Sequence, residues 1–76
     1  MRAYLVVTAE AAKVRDLAKS IAMLPGVRMA DACWGTGDIY GVLEFKEWKD
    51  LKDLVLDKIH EMPGVTRTET HVAVEN

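Results

Sequence analysis

A repeated phrase limits the fold more than any other feature of the chain. Leu24-Pro25-Gly26-Val27 returns 38 residues later as Met62-Pro63-Gly64-Val65. Each copy closes one kind of pattern and opens another. Before the first, Val14, Leu17, Ile21 and Leu24 recur at three- and four-residue steps, with Lys13, Arg15, Asp16 and Lys19 between them. That spacing predicts an amphipathic helix over residues 11–24. Before the second, Trp48, Leu51, Val55, Ile59 and Met62 draw the same stripe. Proline is poorly tolerated inside a helix, and glycine adopts the left-handed geometry common just after one, so each Pro-Gly pair is a stop.

Short β-branched and apolar runs occupy the remaining segments. They predict strands over residues 3–8, 27–34, 39–45 and 65–74. Between the second and third lies Gly35-Thr36-Gly37-Asp38, a turn whose glycines allow positive φ and whose aspartate can bond its own backbone. The order is β-α-β-β-α-β, and the halves superpose at the same offset: Leu5 on Leu43, Leu17 on Val55, Ile21 on Ile59. Right-handed crossovers then put both helices on one face of a four-stranded antiparallel sheet. The expected fold is α+β, a ferredoxin-like βαββαβ sandwich of the kind found in dimeric α+β barrels, as a single domain over residues 1–76.

Composition narrows the function. Ten basic and 12 acidic residues leave a formal charge of −2, so no positive field is available for a phosphate backbone, and direct nucleic-acid binding is not expected. A single cysteine allows no internal disulfide and fits a reducing cytoplasm. The apolar run near Met1 is too short for a secretory leader or a membrane span, so a cytoplasmic chain without membrane contact is expected.

The strands carry a second message. In the first and third, Leu5, Val7, Leu43 and Phe45 alternate with Tyr4, Val6 and Val42, so both faces are apolar. An antiparallel sheet with one wet face should alternate apolar with polar. One of the two sets must lie on the face without helices, and that predicts pairing with a second copy.

Individual residues admit more than one reading. The Gly35–Asp38 turn fits a plain hairpin connection, and it fits a site where backbone N–H groups approach a carboxylate while Asp38 receives an ammonium. Thr66, Thr68 and Thr70 are ordinary strand residues; facing a partner sheet, they would also supply orienting hydroxyls in an apolar crevice. Cys33 reads as a small apolar residue rather than a nucleophile. His60 and His71 lack neighbours at metal-ligand spacing, so neither a metal nor a cofactor is expected.

The turn Thr36-Gly37-Asp38 followed by "FKEWKDLKDLVLDKIHEMPGVTRTETHVAV" resembles the ligand-sensing half of Lrp/AsnC transcription regulators, the RAM module. The resemblance covers nearly the whole chain and is most specific in the stretch ending Ile59-x-x-Met62-Pro63-Gly64-Val65, then Arg67-Thr68-x-Thr70. It implies modules that pair through their sheets and dimers that assemble into rings of about eight or ten chains. It also implies an amino acid bound between subunits near the turn, with Gly35, Thr36, Gly37, Asp38 and Tyr40 at the turn and Thr68 and Thr70 near the partner's side. In full-length regulators a helix-turn-helix domain precedes the module; here Met1 opens the first strand at once, so the chain looks like a stand-alone version that would act with a separate DNA-binding regulator. One motif departs. The family commonly reads Thr-Gly-x-Tyr-Asp, whereas this chain reads Thr36-Gly37-Asp38-Ile39-Tyr40, which points to a different ligand or an altered pocket.

The expected function is therefore non-enzymatic: sensing of a small metabolite such as an amino acid, coupled to oligomerisation. The rivals are a purely structural oligomer and a small dimeric α+β-barrel enzyme with His71 or Tyr40 as its acid or base.

Overall fold

Both Pro-Gly phrases fold into the same turn. In the computed structural model, which describes residues 1–35 and 38–74, Val27 N–H donates to the Leu24 carbonyl at 3.1 Å and Val65 N–H to the Met62 carbonyl at 3.1 Å. Gly26 and Gly64 sit at φ +92° and +99°. Proline second and a positive-φ glycine third is the type II pattern. Each turn then clasps the end of a strand from the other half of the chain. Glu44 N–H donates to the Gly26 carbonyl at 2.8 Å, and Glu10 N–H to the Gly64 carbonyl at 2.9 Å. The repeat thus ties its two halves together reciprocally.

The elements follow the expected order. Strand β1 (Arg2–Ala9) leads through a 3-10 turn (Ala11–Lys13) into α1 (Val14–Ala22). A hairpin of β2 (Val27–Ala32) and β3 (Ile39–Glu44) comes next. Helix α2 (Trp48–Lys52) continues as a π-helical segment (Asp53–Ile59), and β4 (Val65–Val72) completes the sheet. The sheet order is β2-β3-β1-β4 with every neighbouring pair antiparallel. Among the described residues, no helix is long and apolar enough to cross a membrane.

Burial settles which face of the two-faced strands is covered. Ala3, Leu5 and Val7 of β1 and Ile39 and Leu43 of β3 are buried under the helices, with Leu17, Ala18 and Ile21 of α1 and Leu51, Leu54, Val55 and Ile59 of the second helix. Every residue of the three pairs matched at the repeat offset lies in this core. Full burial of side chains such as Leu5, Ile21, Leu43 and Ile59 stabilises the fold by about 1.5–3 kcal/mol each.

Three details differ from the sequence pattern. Strand β2 ends at Ala32, so Cys33 and Trp34 fall into the hairpin connection and are exposed. Cys33 is accordingly not a core filler. The second helix widens to i→i+5 bonding, with His60 N–H donating to the Val55 carbonyl at 2.8 Å, while keeping its buried stripe. Finally, a register shift between Thr8 and Ala9 interrupts the β1–β4 ladder at Thr66, so that Arg67 pairs with Thr8 and Val65 with Ala9.

Candidate functional site

The β2–β3 connection and the start of the first helix meet at the same end of the sheet. Cys33 N–H donates to the Asp38 carbonyl at 2.6 Å, which closes the hairpin loop. Asp38 holds φ +85°, a left-handed geometry that aspartate tolerates better than most residues, and Gly35 holds φ +120°. Between this loop and the helix lies a cleft of about 340 Å³. Ala11, Val14 and Arg15 line one wall; Ala32, Cys33, Trp34, Gly35 and Asp38 line the other. That volume falls at the small end of the ~300–1,000 Å³ typical of small-molecule sites. The lining has the composition such sites favour: apolar walls with a few polar groups, here Arg15 and Asp38. The Trp34 indole stands fully exposed at its margin.

The second feature is the uncovered sheet face. Tyr4 pairs with Val42, Val6 with Tyr40, and Val42 in turn with Met29, which places these five side chains together at its centre. Tyr4 and Tyr40 retain 47% and 50% of their exposure. Charges surround this patch. At one end Glu44 accepts a hydrogen bond from Arg28 at 2.9 Å and pairs with Arg2 at 3.7 Å. The Arg2 guanidinium is held above its ordinary pKa, first by hydrogen bonding and attraction to the Tyr4 oxygen and then by Glu44. Asp31, across from Tyr40, and Glu69, across from Val6, flank the patch along the edges.

The residues singled out from sequence divide among three places. Gly35 and Asp38 line the cleft. Tyr40 stands on the open face, one residue beyond the buried Ile39. Thr68 and Thr70 pair with Val7 and Leu5 and so share the helix-covered side of the edge strand β4, where Thr68 Oγ1 lies 3.4 Å from His60 Nδ1. Those two hydroxyls do not face the open sheet, because the pairing register of β4 puts them beside core residues. Thr36 and Gly37 lie outside the described residues. The helix wall of the cleft escaped the sequence reading, which placed Arg15 only among the charged residues between the apolar positions of an amphipathic helix. The topology held the missing signal: the end of β1 and the start of β3 are neighbours, so the helix that follows β1 begins beside the hairpin loop. Among the described residues, no three His, Cys, Asp or Glu side chains converge as a metal site requires.

Comparison with known proteins decides the relationship. The family described as "Lrp/AsnC ligand binding domain" matches residues 2–76. The chain belongs to that family. An uncharacterized HTH-type transcriptional regulator of Pyrococcus abyssi is 30% identical over 70 residues, covering 92% of this chain and 44% of the regulator. The chain thus spans under half the length of that relative. A protein of Thermus thermophilus, known from its crystal structure, superposes with a TM-score of 0.92 at 29% identity, covering 99% of this chain and 94% of that one. A transcriptional regulator of Neisseria meningitidis, crystallised as an L-Met complex, shares the fold with a TM-score of 0.84 at 22% identity, covering 97% of this chain and 49% of that one. The Lrp/AsnC module therefore has the βαββαβ sandwich expected from the repeat, and its relatives are transcription regulators.

Proposed function

We propose that this Lrp/AsnC module senses a small metabolite, an amino acid in the first instance, and couples its binding to self-association in the cytoplasm as part of a transcription-regulating system. The observation that carries the reading is one geometry: an apolar sheet face without a cover, adjoining a small cleft built on the β2–β3 loop. Tyr4, Val6, Met29, Tyr40 and Val42 form a patch whose apolar area favours a second copy. The cleft lies at the hairpin end of the same sheet, between the β2–β3 loop and the start of α1. Coupling then follows if the ligand binds the paired form better than the single one. L-methionine, present in the Neisseria complex, is the natural first probe, and the apolar walls of the cleft suit its side chain.

The enzyme reading has less support. It needs titratable groups that converge, yet Tyr40 and His71 stand on β3 and β4 with β1 between them, about 10 Å of sheet apart. The purely structural oligomer predicts an assembled protein that takes up no amino acid.

Calorimetric titration with the twenty amino acids, run beside sedimentation velocity, tests the proposal. Expected are an oligomer at micromolar concentration and heat from at least one amino acid. Asp38→Asn, which keeps the tolerance for positive φ while removing the charge, should weaken that binding about tenfold. A monomer that binds nothing would refute the proposal, and an oligomer that binds nothing would establish the structural alternative.

A further inference from the structure

We infer that Arg15 is the carboxylate-holding arm of the cleft, so that the ligand is an α-amino-acid zwitterion gripped from both sides by this one chain: carboxylate on Arg15, ammonium on Asp38. The inference rests on the metabolite-sensing reading above and adds to it the residue and the ligand group.

The chain has four arginines. Arg2 and Arg28 pair with Glu44, and Arg67 pairs with Glu69. Among the described residues Arg15 has no ion-pair partner, and its own helix offers none. The positions three and four residues away are Ala11, Ala12, Ala18 and Lys19, with no acid among them. The nearby carboxylate of Glu10 is engaged by Lys13 at 3.8 Å. Arg15 also stands in the first turn of α1, where the helix dipole disfavours a cation. Neither helix stability nor a structural ion pair accounts for it.

Its place in the cleft does account for it. Arg15 and Asp38 stand on opposite walls, one from the helix and one from the hairpin loop. Asp38, too, has no ion-pair partner among the described residues. Opposite charges lining one cavity suit a molecule that carries both signs. The planar guanidinium matches a carboxylate through two parallel hydrogen bonds, a geometry that lysine lacks. Ala11, Val14 and Ala32 leave an apolar surface for the remainder of the amino acid.

The test is calorimetry on the intact chain with L-methionine, L-leucine and their α-amides, which keep the ammonium and lose the carboxylate. L-methionine or L-leucine should bind the wild type, and Arg15→Gln should weaken that binding about tenfold or more. Arg15→Lys should restore part of it. The α-amide should bind wild type and Arg15→Gln equally, because the group that Arg15 would hold is gone. Thermal unfolding should show Arg15→Gln at least as stable as wild type, since it removes a cation from the positive end of the helix. If the acids bind Arg15→Gln as well as wild type, the assignment of Arg15 fails while metabolite sensing stands. If Arg15→Gln weakens acid and amide alike, the residue is structural and the assignment again fails. If none of the twenty amino acids binds wild type, both the sensing reading and the assignment fall.

Discussion

Single residues hold this fold at its turns. Gly26 and Gly64 occupy φ +92° and +99°, and a Cβ at Gly26 would also stand 3.3 Å from the Glu44 carbonyl oxygen. Gly26→Ala and Gly64→Ala should each lower stability by about 1–2 kcal/mol, seen as a reduced urea midpoint with unchanged slope. The crowding at Gly64 comes mainly from the flexible Lys13 side chain at 2.7 Å, which can swing away, so its cost is chiefly the backbone angle. Gly41 is constrained differently. It has no unusual φ, but a Cβ there would lie 3.0 Å from the Met29 carbonyl oxygen in the neighbouring strand. Gly41→Ala should push β2 from β3 and cost about 1–3 kcal/mol, again read from urea unfolding. At the cleft, the exposed Trp34 is a built-in reporter. Amino-acid binding should shift its fluorescence, and Trp34→Phe should remove the shift while the Trp48 signal persists.

Among the elements, the second helix carries the clearest division between core and surface. Leu51, Leu54, Val55 and Ile59 are buried while Lys49, Lys52 and Lys58 face solvent. Trp48 begins the helix against Phe45, the rings 5.8 Å apart and tilted by 57°, which anchors the chain as it leaves β3. Ile59 is fully buried at the end of the π segment, so Ile59→Ala should cost about 2–5 kcal/mol in urea unfolding. Lys49 contrasts with it. Its hydrogen bond to Asp53, 2.7 Å long, and the attraction between them raise the Lys49 pKa. The pair lies in open solvent, where such contacts add little, so Lys49→Ala should leave the urea midpoint nearly unchanged.

The whole molecule is defined by its asymmetry: helices on one side of the sheet, tyrosines and valines on the other. A charge placed in the centre of the open face should separate subunits without disturbing the core beneath. Under the proposed self-association, Tyr40→Lys is expected to sediment as a monomer at concentrations where the wild type would form an oligomer, with far-ultraviolet circular dichroism preserved. Amino-acid binding measured on that variant would then show whether the cleft requires the neighbouring subunit.

Local pattern alone determined much of this protein. The Pro-Gly stops, the two helical stripes and the β-β connection depend on residues near each other in the chain, so the element order and the sandwich were readable from them, and the family resemblance rested on the same stretches. Three matters were decided only by tertiary structure. Whether Leu5 or Tyr4 faces the helices turns on where the crossovers lie. Whether Thr68 and Thr70 face the open sheet or the helices turns on their pairing with Val7 and Leu5, at the far end of the chain. Arg15 becomes part of a cleft only when β1 and β3 pair and bring the start of the helix beside the hairpin loop. Periodicity records how a segment meets its own neighbours along the chain; register and adjacency are set by partners that no short window contains.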